Sequence, residues 1–283
     1  MSVARSGGFG VANGGGFDTH AHIFPPHTGI AGARYIPSYG ISKEDFLGRL
    51  ESAGFLGGVL VQPSFLGYDN SLLLQAVRGD SRLRGVVMLG FDTGRSVLEE
   101  YARAGIVGVR LNLIGGDLES ALTEIAGGGE FLAVCRDLGW HVEVHRGLDD
   151  VAQVAHALLQ QGVKVVIDHL GRPSVAGMRG GEEGALSRLC ALRGEGELWF
   201  KVSGFYRFGG EKGENLALAR RVYEELLGVF GVGSFVYGSD YPHTNFEDSA
   251  SYLGALESFL HIVREEGERR AILGENARRL FGF

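Results

Sequence analysis

The chain has 283 residues, of which 45% are hydrophobic and 22% charged. This composition excludes a disordered chain and suits a single (β/α) barrel of ~250 residues. With 27 basic against 34 acidic side chains the net charge is −7. That argues against general nucleic-acid or anionic-membrane binding, while local arginines remain able to grip a small anion.

Residues 1–16 (MSVARSGGFGVANGGG) read as a disordered glycine-rich tail without the apolar core of a signal peptide, and 17–283 as one barrel domain. Eight short apolar runs, mostly rich in valine, then recur. In chain order they are Phe17–His22, Gly58–Gln62, Gly85–Leu89, Val107–Asn112, Trp140–His145, Lys164–His169, Leu198–Ser203 and Phe235–Asp240. Each is followed by a helical pattern. Ser42 caps a helix entered by Lys43, Glu44 and Asp45; Asp149–Gln161 places Val151, Val154, Ala155 and Leu158 on one face; Leu216–Phe230, Tyr252–Glu265 and Arg269–Phe281 behave similarly. Eight strand–helix alternations predict an α/β fold, a single-domain (β/α)8 TIM barrel. The rival, an open doubly wound sheet, lacks its glycine-rich phosphate loop here. Cys135 and Cys190 read as reduced packing residues of a cytoplasmic protein. No apolar run approaches the ~18 residues of a membrane span. Monomer and homodimer both suit the chain.

Strand ends are where barrel chemistry collects. His20 and His22 are two apart, so both imidazoles point the same way at the end of the first strand. His145 ends the fifth strand, Asp168 and His169 end the sixth, and Asp240 ends the eighth. Imidazoles with a carboxylate are the ligand set of zinc and similar divalent ions, and a bound water there becomes hydroxide near neutral pH. Period 2 also turns His141, Glu143, Lys201 and Ser203 inward. Lys201 is expected to pair with Glu143 or Asp18 and brace the barrel interior.

The segments FDTHAH (17–22), VQPS…GYDN (61–70), GVRLN (108–112), WHVEVH (140–145), DHLGRP (168–173), KVSGFYR (201–207), GSDYPH (238–243) and ILGENARRLF (272–281) together resemble the amidohydrolase superfamily. They are most similar to the branch around 2-pyrone-4,6-dicarboxylate lactonase, over residues 17–283. The resemblance implies a hydrolase that opens a small carboxylated lactone, as in the breakdown of aromatic compounds. It implies Asp240 as general base, with His20, His22 and His169 lining the carbonyl. Ser64, Arg110, Arg207 and Tyr35 then contact substrate, and His243, which follows the end of the eighth strand, is expected to reach it as well. That branch works without a metal, whereas relatives acting on other lactones bind zinc. Where this chain departs from the branch, it has Gly116 in place of an arginine and His145 in place of a tyrosine. His145 favours one divalent ion, Zn2+, held by His20, His22, His145 and Asp240. Bridging lysines of the superfamily come from the fourth strand, where this chain has Arg110 and Asn112, so at most one metal is expected and metal-free catalysis stays open.

Two other readings compete. A metal-dependent non-oxidative decarboxylase of the same superfamily uses the same histidines and aspartate, and a non-catalytic small-acid binding protein is the third. Around the site, Gln62 and Asn70 are expected to pin the loop after the second strand, and Arg172-Pro173 to fix the turn after His169. Phe24, Phe65, Tyr68 and Phe205 are expected to wall the pocket.

Overall fold

The computed structural model describes residues 15–180 and 183–283. Of the expected tail, residues 1–14 lie outside the described residues; the strand itself already begins at Gly16. Eight strands follow: β1 (Gly16–Ala21), β2 (Phe55–Val61), β3 (Leu83–Val87), β4 (Ile106–Asn112), β5 (His141–His145), β6 (Lys164–Ile167), β7 (Leu198–Val202) and β8 (Phe235–Tyr237). They form one parallel sheet in sequential order, the predicted (β/α)8 barrel with helices outside. Backbone bonds close the ring: Asp240 N donates to His20 O at 2.8 Å, and His22 N to Tyr241 O at 2.8 Å.

Period 2 sorts each strand. On β5, Val142 and Val144 face the helical layer and join the main apolar core, while His141, Glu143 and His145 turn into the barrel. A second cluster, including Phe17, Val86, Val166, Trp199 and Phe281, packs where the strands begin, so the C-terminal helix Asn276–Phe281 plugs that end. The opposite end stays open to a site. Outside, Ser42 caps the helix Lys43–Ala53 in a reciprocal capping box with Asp45. Cys135 and Cys190 are free thiols. Among the described residues no helix is long and apolar enough to cross a membrane.

Several strands stop one to three residues before their apolar runs do, and at two of them the turn that follows carries site residues. β6 ends at Ile167 rather than His169, and β8 at Tyr237 rather than Asp240. The reason is backbone conformation: His169, Leu170 and Asp240 take φ of 53°, 54° and 61°, left-handed values that no strand ladder accommodates. Valine-rich composition carries no trace of that turn.

Asn276 tethers the plug. Its Nδ2 donates to Phe235 O at 2.7 Å and Val232 O at 2.8 Å. Asn276→Ala strands two carbonyls and is expected to cost about 1–3 kcal/mol by urea denaturation; a change under about 0.5 kcal/mol would contradict this role.

Candidate active site

The open mouth gathers residues from β1, β5, β6, β7 and β8. His20 and His22 leave the end of β1 on the same side, as their spacing predicts. His22 Nδ1 lies 2.7 Å from Val61 O. A carbonyl only accepts, so Nδ1 carries the proton and Nε2 is bare. Nε2 of His22 and Nε2 of His20 stand 3.5 and 3.7 Å from Asp240 Oδ1. His169 Nδ1 is 2.8 Å from Ser203 Oγ, and its Nε2 lies 3.8 Å from Asp240 Oδ2. Two glycines make this packing feasible. A Cβ on Gly238 would come within 2.5 Å of His20 Cβ, and one on Gly204 (φ +63°) within 2.5 Å of His169 Nδ1.

Asp240 has two distinct oxygens. Oδ2 accepts from Arg207 Nε at 2.6 Å and from the Tyr206 hydroxyl at 2.5 Å; Oδ1 faces the histidines. Burial alone would raise its pKa, but the Arg207 charge, with His169 and His22, holds the carboxyl well below the usual range. The neighbouring phenol is pushed well above 10 by burial and by Asp240, so Tyr206 stays a donor. Burial likewise lowers His20, further depressed by Lys201, and drives His169 down to about 3; His145, also facing Arg110, falls well below 6.5. The three rings are neutral at pH 7.

Beneath them lies a balanced, fully buried charge network. Lys201 pairs with Glu143, as expected, rather than with Asp18, which instead accepts from Ser239 N at 2.8 Å. Arg110 Nη2 lies 3.3 Å from Asp168 Oδ2. Two cations thus meet two carboxylates with no net charge left over. The network also governs His20. Its Nδ1 stands 2.9 Å from Lys201 Nζ, 3.3 Å from Asp168 Oδ1 and 3.4 Å from Glu143 Oε1. Accepting from Lys201 puts the ring proton on Nε2 and makes His20 a donor to the mouth. Donating to either carboxylate oxygen, neither of which has another hydrogen-bond partner, bares Nε2 for a ligand.

Two side-chain groups among the described residues have donor atoms close enough together to hold an ion: His20, His22 and Asp240, and His20, Asp168 and His169. The first fits a divalent cation best: His22 has its bare nitrogen, His20 Nε2 has no hydrogen-bond partner, and Oδ1 supplies an anionic oxygen. Three protein ligands leave an open position, as catalytic zinc requires. The structure does not bring His145 into either set. Its Nδ1 is turned to Arg110 Nη2 at 3.1 Å, its Nε2 has no hydrogen-bond partner, and its ring packs edge-on against His169.

A cavity of about 430 Å³ opens above these groups, lined by Ser64, Arg110, His145, His169, Arg207 and Asp240 among others. Ser64 and Arg207 reach it as expected. Tyr35 lines it too, with its hydroxyl donated to Glu247 at 3.0 Å. Arg110 also lines it, but its donors serve Gln62 O, Asp168 and His145. His243 does not reach the wall: it is buried against Tyr206 and Tyr241. Gln62 and Asn70 pin their loop through Asp69 O and Met88 O, both at 2.8 Å. Of the expected aromatic wall, Phe65 lines the cavity. Phe24 packs behind it, Phe205 is in the core, and Tyr68 is 65% exposed. Arg172 does more than fix its turn, since it and Arg34 both line the cavity. Arg34 and Tyr206 carried no separate signal in the sequence; Tyr206 adjoins Arg207 in a single helical turn at 205–208.

The amidohydrolase family profile matches residues 17–283. A 2-pyrone-4,6-dicarboxylate hydrolase of Comamonas testosteroni is 29% identical over 94% of this chain and 90% of its own length. A 4-sulfomuconolactone hydrolase of Hydrogenophaga intermedia is 28% identical over 95% and 89%. Among solved structures, a candidate 2-pyrone-4,6-dicarboxylic acid hydrolase of Pseudomonas putida superposes with a TM-score of 0.87 at 42% identity, covering 95% of this chain and 97% of that one.

The buried network yields a test. Lys201→Met leaves two buried carboxylates facing Arg110 alone and is expected to cost about 3–5 kcal/mol in urea denaturation. Adding Glu143→Gln should recover much of that loss. A single-variant loss below about 1 kcal/mol, or no recovery in the double variant, would show that the pair does not brace the barrel.

Proposed function

This chain belongs to the amidohydrolase family, and from that premise we propose that it hydrolyses a small carboxylated lactone with water activated by Asp240. The observation that carries the reading is the division of labour on Asp240. One oxygen is tied by Arg207 and Tyr206, and the other is open to two imidazole nitrogens at the foot of the cavity. Both named hydrolase relatives, matched over nine-tenths of the chain, support it.

The chemistry follows from charge flow. Ring opening needs water to add to the lactone carbonyl, and the carbonyl oxygen then becomes an oxyanion. A general base must be ionised to take the water's proton, and the Arg207 pairing keeps Asp240 in that state. Oδ1 receives the proton, because Oδ2 is already saturated by two donors. As the ester C–O bond breaks, Asp240 returns the proton to the leaving ring oxygen, giving a free hydroxyl or enol and a carboxylic acid, which then loses its own proton to solvent. The oxyanion forms beside His20, His22 and His169, in a buried setting where an N–H donor is worth most; His20 supplies one when its Nδ1 accepts from Lys201, and the bare Nε2 of His22 is a ligand atom and not a donor. His20 serves this face in either tautomer, as an Nε2–H donor or as a ligand nitrogen. Arg207 also lines the cavity and meets the substrate carboxylate, with Ser64 and Tyr35 on the facing wall.

One divalent ion, Zn2+ by its ligand chemistry, would be held by His20, His22 and Asp240; when bound it supplies Lewis-acid polarisation and a more acidic water. His145, no part of that set, is a wall residue of the substrate pocket.

Two outcomes check these assignments. Asp240→Asn is expected to lower kcat by about 10²–10⁴-fold, while carboxylate inhibitors bind as well or better because Arg207 loses its internal partner; activity within tenfold of the parent would overturn the base. Calorimetric titration with Zn2+ should give one site per chain that His22→Ala removes. Absence of uptake at micromolar zinc would contradict the ligand set.

A further inference from the structure

Residues 25–40 leave the barrel between β1 and the helix Lys43–Ala53, and the two ends of this loop are clamped together. Phe24 N donates to Ile41 O at 3.0 Å, and Ile41 N to Phe24 O at 2.8 Å. Close ends and a long, mostly exposed arc are the marks of an Ω-loop. Ile30, Gly32, Ala33, Arg34 and Tyr35 of the arc line the cavity. Three neighbouring loops hold it. After β2, Phe65 O accepts from Ile30 N at 2.8 Å. At and beyond the end of β4, Asn112 Oδ1 and Ile114 O accept from Arg34 at 3.3 and 3.0 Å. After β8, one atom, Glu247 Oε1, accepts from both Tyr35 and Tyr39, at 3.0 and 2.6 Å.

In a ring of eight strands in sequential order, β4 and β8 stand opposite each other. Arg34 reaches one side and its neighbour Tyr35 the other, so the arc spans the mouth. The tie to the β8 side hangs on a single side chain, because both phenols end on one carboxylate oxygen. A charged acceptor makes such bonds short and roughly twice as strong as neutral ones. Burial alone would raise the Glu247 pKa, but the Tyr39 hydroxyl and nearby backbone amides hold it below the usual value, while burial and Glu247 push both phenols up. Acceptor and donors therefore keep their roles near neutral pH. Tyr39 also packs its ring on Phe24 at the base of the loop, with 5.5 Å between centroids. Glu247 does not line the cavity, whereas Thr244, Asn245 and Phe246 just before it do. The seam it closes lies between the arc and the segment that follows Asp240.

We propose that residues 25–40 form a lid over the cavity and that Glu247 is a positioning residue that latches it, holding Tyr35 at the wall through the two phenol hydroxyls. With the latch made, the arc closes the mouth over a bound molecule. With it broken, the arc stays joined at Phe24 and Ile41 and swings from that base. The latch rests on these contacts alone; that the lid covers a lactone rests on the function proposed above.

Hydrogen exchange in the full chain reads the latch without any substrate. Glu247→Ala is expected to speed exchange at the Ile30 amide about 10- to 100-fold, as the loss of bonds to a charged acceptor predicts, and Tyr39→Phe by a smaller factor. Glu247→Gln, which keeps an acceptor oxygen, should restore part of the protection. The urea midpoint should stay that of the parent, because a loop opening on its own leaves the global unfolding transition unmoved. In a Tyr35→Phe/Tyr39→Phe background, Glu247→Ala should add almost nothing. Exchange within about threefold of the parent in Glu247→Ala, or an undiminished effect of Glu247→Ala in that background, overturns the latch. On a lactone that the parent opens, Glu247→Ala is expected to raise KM about tenfold with kcat within about threefold, as a smaller closed fraction predicts; an unchanged KM beside faster exchange overturns the positioning role. Amides that respond as expected in a protein that opens no lactone sink the proposed reaction and keep the latch. Lactone opening with unresponsive amides does the reverse.

Discussion

Asp240 is where the barrel's closure and its chemistry meet. Its amide donates to His20 O, joining the segment after β8 to β1, and its side chain is held by Arg207 and Tyr206 from the turn after β7. The left-handed backbone at Asp240 aims the carboxylate across the mouth at the two histidines of β1. For L-residues that conformation is disfavoured, and it persists because a backbone bond and two strong side-chain bonds all fix it. Were Arg207 absent, burial would push the carboxyl towards its neutral form, and a protonated acid cannot take a proton from water.

The balanced network below the mouth supports the same arrangement. Lys201, Glu143 and Asp168 are charged groups wholly buried beneath the cavity, and Arg110 joins them from its wall. Their mutual pairing is what makes them tolerable there. They do not touch the cavity's reacting end directly. They act through His20, whose Nδ1 they surround, and Arg110 also holds the Nδ1 side of His145. At position 145, where this chain departs from the related branch, the histidine lines the cavity with its Nδ1 towards Arg110. The missing arginine at position 116 has a spatial answer as well. Gly116 O accepts from Arg146, and Arg34 crosses to the same loop at Ile114.

Much of this was legible in the sequence because barrels obey simple periodicities. Buried parallel strands are valine-rich runs, eight of them appear in order, and alternation alone turned Glu143 and Lys201 into the interior, where they pair. The His20-Ala-His22 spacing placed both rings correctly for the same reason. What escaped was everything governed by loops and local turns. Strand ends at β6 and β8 hinge on left-handed residues that are not glycine, so no composition cue marks them. Arg34 and Arg172 lie outside the strands, and how far a loop arginine reaches depends on neighbours distant in sequence. His243 follows a strand end yet folds back against two tyrosines, since its backbone bonds to Asp240 O and turns the side chain inwards.

The claim at the centre is that water, directed by Asp240, attacks the carbonyl carbon of a lactone ring. Turnover of a small carboxylated lactone in 18O-labelled water, followed by mass spectrometry of the product, tests this directly. The account predicts one 18O atom in the newly formed carboxylate and no release of carbon dioxide. Carbon dioxide evolved without 18O entering the organic product would contradict it and identify a decarboxylase on the same scaffold.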